Sequence, residues 1–149
     1  MTGRNRWLIV AGWLSLIAAL LHLAVIAGGP DWYRFFGAGE AMAVADERGS
    51  WTPALITLGI TALLAVWAAY AFAGAGAIRR LPLMRTALVL ISAIYLARGL
   101  FVLDPAAFGR PDLAPGFMLW SSLIVLVFGL TYAVGTWRAW SYLSKRKTA

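Results

Sequence analysis

Few residues of this chain could carry chemistry, and two stand out. His22 is the only histidine, and Arg98 is the only charge inside a long apolar run. An imidazole can exchange a proton near neutral pH, and a guanidinium can hold a carboxylate, phosphate or enolate-like oxygen. Glu40 closes the aromatic-rich stretch that begins at Trp32, and Asp104 follows the run containing Arg98. Tyr95 precedes Arg98 by three residues, so the two share one side of a helix. The expectation is that His22, Glu40, Tyr95, Arg98 and Asp104 line one ligand-binding polar pocket. Each also has a plainer role open to it. Arg98 can snorkel to headgroups, His22 can bond between helices, Glu40 can be a solvated loop acid, and Asp104 can cap a short helix.

Metal binding is not expected, because one histidine and scattered acids lack a ligand pair at helical spacing. A haem would need a second axial ligand, which only a symmetric dimer could supply through a second His22. The chain has no cysteine, so thiolate sites and cysteine nucleophiles are excluded. No catalytic residue and no cofactor can be assigned.

These residues must be positioned by membrane helices. Of the 149 residues, 62% are hydrophobic and 13% charged, and mean hydropathy is +0.78. That is too little polar surface to cover a soluble domain. Four stretches are long and apolar enough to cross a bilayer, which takes ~20 helical residues. They span about 7–27, 53–77, 86–103 and 117–137. Lipid cannot satisfy an open backbone, so each stretch is expected to be helical. The first has a basic start and a Val25-Ile26-Ala27 end, like a signal peptide. Its apolar core exceeds the usual ~7–15 residues, and it is retained as a span. The expected fold is an all-α four-transmembrane-helix bundle, one membrane domain over 1–149.

Charge sets the orientation. Arg4, Arg6, Arg79, Arg80, Arg85, Arg138, Lys145, Arg146 and Lys147 fall on one side with no acid among them. All six acids fall on the other: Asp31, Glu40, Asp46, Glu47, Asp104 and Asp112. Positive-inside bias places both termini in the cytoplasm of a cell-membrane protein. The net charge of +7 is thus a topology signal, and no nucleic-acid partner is expected.

Between the first two spans, Pro30-Asp31 reads as a helix start and Gly49 as a stop. One amphipathic interfacial helix is expected over about 30–48, with Trp32, Phe35, Phe36, Gly39, Met42 and Ala43 on its apolar face. The second outer segment, from Asp104 to Gly116, carries three prolines and reads as a turn or a single helical turn. Small and hydroxyl residues form packing stripes: Ala11, Ser15 and Ala18 leading to His22, and Ser122, Gly129 and Thr136.

Three functions fit. The chain binds an amphipathic or lipid-like small molecule near the outer leaflet; or it is a membrane enzyme acting on a lipid or quinone-like substrate through His22, Glu40 and Arg98; or it is an accessory or scaffold subunit, including an oligomeric channel. A homo-oligomer is compatible with each.

Overall fold

The computed structural model describes residues 4–104 and 115–144. Among them the fold is entirely helical, and four helices are long and apolar enough to span a membrane. These are α1 (Arg6–Gly28), α4 (Thr52–Gly74), α5 (Met84–Gly99, continued by a 3₁₀ turn over Leu100–Val102) and α6 (Pro115–Arg138). The protein is a multi-pass membrane protein. Between α1 and α4 lie α2 (Pro30–Phe35) and α3 (Glu40–Glu47), and a short α7 (Trp140–Leu143) follows α6. The expectation for the second outer segment falls on 105–114, outside the described residues.

α1 buries mainly small side chains and exposes large ones. On α1, Ala11, Gly12, Ser15 and Ala19 are buried while Trp13, Ile17 and Leu20 are exposed. Lipid is as apolar as leucine, so association depends on close packing rather than on removing apolar surface from water. Glycines set the closest approaches. A Cβ at Gly99 would lie 2.6 Å from Leu126 Cα, and one at Gly129 would lie 2.8 Å from the Leu96 nitrogen. These reciprocal glycines draw α5 and α6 together backbone to backbone. Leu8, fully buried, fills the space left by Gly74 of α4 and Gly135 of α6. The stripe of Ser122, Gly129 and Thr136 is buried throughout.

One end of the bundle gathers both described chain ends and the α4–α5 link. Asn5 caps α1 by accepting from the Trp7 and Leu8 nitrogens, and its amide Nδ2 donates to the Gly135 carbonyl at 2.7 Å. Arg80, from the link, donates to the Tyr142 carbonyl at 2.9 Å.

The opposite end carries α2 and α3. The single helix expected over 30–48 is instead two helices broken at 36–39. Gly37 and Gly39 have φ of +74° and +101°, a region that side chains with a Cβ rarely enter. The break reorients the faces. Tyr33 is 0% exposed and Phe35 74% exposed. The buried contacts are Tyr33 and Ala43 against Val25 of α1, with Phe36, Ala38 and Met42 packed around them. The turn also rests on α6, since a Cβ at Gly37 would meet the Phe117 ring. Together α2 and α3 cap the bundle from the end of α1 to the start of α6.

Candidate functional site

The five residues expected to form one pocket divide, by their hydrogen bonds, into a closed network in the middle of the bundle, a polar layer below the cap, and an ion cluster on the cap itself.

The middle network holds Tyr95. Its hydroxyl lies 3.1 Å from Ser15 Oγ, which lies 2.8 Å from the Tyr132 hydroxyl, which donates to the Trp67 carbonyl at 3.0 Å. A carbonyl only accepts, so the single Tyr132 proton points to Trp67. Ser15 must then donate to Tyr132, and Tyr95 to Ser15. The chain runs one way through all four spans with every hydroxyl proton committed. Trp67 and Phe128 stand edge-on to the Tyr95 ring at 4.9 and 5.5 Å. A satisfied buried network of this kind fixes one arrangement of helices. Sequence reasoning missed Tyr132, although a tyrosine inside an apolar span signals a hydroxyl that needs a partner.

The layer below the cap holds His22 and Arg98. His22 lies six residues inside the end of α1, and Ser121 six residues inside the start of α6. Both are therefore ~9 Å below their helix ends. Arg98, in the last turn of α5, donates to Ser122 Oγ at 2.8 Å and to Ser121 Oγ at 3.1 Å. His22 Nδ1 sits 2.7 Å from the Ala18 carbonyl. Because that oxygen can only accept, Nδ1 carries a proton and donates to it. Above this layer Tyr33 packs on Val25, three residues and ~4.5 Å along α1 from His22. The Tyr33 hydroxyl is buried and has no hydrogen-bond partner among the described residues. An unmet buried hydroxyl costs ~1–3 kcal/mol. Asp104 closes the described part of the α5 end.

The third group is on the cap. Arg34 grips Glu40 with two hydrogen bonds, Nε to Oε2 at 2.9 Å and Nη2 to Oε1 at 2.8 Å. It also reaches Glu47 at 2.8 Å and Asp31 at 3.4 Å. The hydrogen bond from Arg34 holds the Glu40 carboxyl below the usual carboxylate range, and the Glu40 and Glu47 bonds push Arg34 further up. Glu40 thus ties α3 to α2 across the glycine turn. Neither Glu40 nor His22 bonds to Arg98 among the described residues.

No family model matches this chain, and no match was found to a curated protein or a solved structure. Among the described residues no group of histidine, cysteine or acidic side chains has the arrangement of a metal site. Thr57, Thr61 and Ser92 donate to carbonyls one turn back in their own helices, which leaves them as packing hydroxyls.

Proposed function

We propose that the chain lies in the cell membrane with both termini cytoplasmic and binds an amphipathic or lipid-like small molecule at its outer end. The polar head of that molecule sits below the α2–α3 cap, among the Tyr33 hydroxyl, His22 Nε2 and Arg98, and its apolar body lies along the spans. The observation that carries this reading is the Tyr33 hydroxyl, buried with no partner among the described residues. A ligand oxygen there would offset the cost of its burial. His22 adds its second ring nitrogen and Arg98 a cation at the same level. Exposed aromatics around the cap, Trp32, Phe35 and Trp51, suit an entrance at the headgroup boundary.

Binding is favoured over acid–base catalysis because Glu40, the carboxylate that would tune His22, is held by Arg34 on the cap. The orientation rests on the basic end of the bundle and the acidic character of the cap. The test is native mass spectrometry of the full chain released from its own membranes, wild type beside Arg98→Ala. A defined extra mass on the wild type, absent from the variant, is expected. A bare chain in both would count against a tightly held ligand.

A further inference from the structure

The basic end of the bundle gathers Arg4, Arg80 and Arg138. A cavity of about 360 Å³ opens there, lined by Arg4, Asn5, Gly74, Gly76, Arg138 and Tyr142 among others. That volume falls in the ~300–1,000 Å³ range of small-molecule sites. Its height is fixed by the span ends around it: α1 begins at Arg6, α4 ends at Gly74 and α6 ends at Arg138. It therefore sits where hydrocarbon gives way to headgroups. Exposed Trp7, Trp137 and Trp140 mark the same level, as tryptophans do at membrane interfaces.

Its walls are held in place. Asn5 is held in place as the α1 cap and the donor to Gly135. Tyr142 is fixed by Arg80, which lies 4.6 Å from its ring centroid and bonds its carbonyl. Gly76, at φ +73°, has nothing within 4 Å of where a Cβ would stand, which leaves the floor open.

The charge is one-sided. All six acids of the chain fall in the two segments that join the other ends of the helices. Arg4 and Arg138 make no salt bridge among the described residues, and Arg138 lies against the Trp7 ring at 5.8 Å. Arg4, Arg138 and Tyr142 line one cavity, and none of the described residues that line it is acidic, a composition suited to an anion.

We propose that this cavity binds a phosphate group, with Arg4 and Arg138 on its oxygens and the Tyr142 hydroxyl as a further donor. The phosphate is carried either by an anionic lipid headgroup or by a soluble phosphate. The site is separate from the one below the cap, and its loss leaves that one intact.

The test places the full chain in nanodiscs of phosphatidylcholine with increasing phosphatidylglycerol and counts retained lipid by native mass spectrometry. The wild type should retain phosphatidylglycerol over phosphatidylcholine. A charge-assisted hydrogen bond to a phosphate oxygen is worth more than the diffuse attraction of a basic residue to an anionic surface. Arg4→Gln or Arg138→Gln should therefore weaken this preference about tenfold or more, and the pair further. Arg79→Gln, at the same end but outside the cavity lining, should weaken it by no more than about fivefold, the limit that diffuse attraction allows. Inorganic phosphate is added in a parallel arm. Displacement of phosphatidylglycerol by millimolar phosphate assigns the site to soluble phosphate, and no displacement assigns it to the lipid. If Arg79→Gln weakens retention as much as Arg138→Gln, the attraction is diffuse and the site is overturned. Equal retention of both lipids by the wild type, with no response to phosphate, overturns it as well. Should the double variant fail to fold, the three single variants decide the question.

Discussion

The middle of the bundle and its outer end are both polar, yet they differ in whether their hydrogen bonds close. In the middle, Tyr95, Ser15 and Tyr132 pass one proton each along a line that ends on the Trp67 carbonyl. At the cap end the Tyr33 hydroxyl has no partner among the described residues, and His22 uses Nδ1 on the Ala18 carbonyl of its own helix. The two regions cost the same kind of desolvation, and only the first recovers it within the chain. A closed network serves the fold, whereas an open one at a membrane boundary has capacity left for a ligand. Hydroxyl count alone would not have separated them. Tracing each proton to its acceptor does.

The comparison can be broken hardest in the middle. Gly129→Leu would drive a side chain into the Leu96 backbone and push α5 off α6, separating Tyr95 from Tyr132. A loss of about 3 kcal/mol or more is expected, since the obstruction is backbone rather than a movable side chain. Unfolding in mixed micelles, read by circular dichroism, would show it. Ser15→Ala removes the centre of the line and leaves the Tyr95 hydroxyl without its acceptor. Interhelical hydrogen bonds in membranes are modest, so a cost of roughly 1–2 kcal/mol is expected from the same measurement.

Not all of this was legible in the sequence. The four spans were, because length, apolarity and the segregation of charge report directly on the bilayer. The pairing of side chains across helices was not. The small-residue stripes of α1 and α6 marked faces that turn inward, but not which helices meet there, so nothing in the pattern indicates that Ser15 faces Tyr132 or that Arg98 faces Ser121. The pairing of Glu40 was hidden by one local feature. A helix continuous from 30 to 48 would have put Glu40 beside its apolar face, aimed toward the bundle. The positive-φ glycines at 37 and 39 break that helix and fold Glu40 back onto Arg34, six residues earlier. The glycines were visible, but an unbroken helical periodicity ran across them.

That pairing sharpens the comparison from the outer side. Arg34→Gln should loosen the cap without unfolding the spans, seen as faster amide exchange in α2 and α3 and unchanged exchange in α5. Acid should act in the same way. The folded-state pKa of Glu40 is lowered, so its contribution to the cap is fully present above the ordinary carboxylate value, ~4.3. It is lost as the pH falls through the lowered value. Trp32 fluorescence should therefore hold steady from neutral pH down to that range and change below it, and Arg34→Gln should remove this step.

The smallest expected change is also the most informative. The melting temperatures of the full chain, stripped of lipid by detergent exchange, should be compared for wild type, Tyr33→Phe and Tyr132→Phe. With the outer site empty, the Tyr33 hydroxyl contributes nothing, so Tyr33→Phe should melt at or slightly above the wild type. Tyr132→Phe should melt about 2–4 °C lower, because Ser15 loses its acceptor. If Tyr33→Phe instead fell as far as Tyr132→Phe, the Tyr33 hydroxyl would be satisfied within the protein itself, and the outer end would hold no unmet group for a ligand.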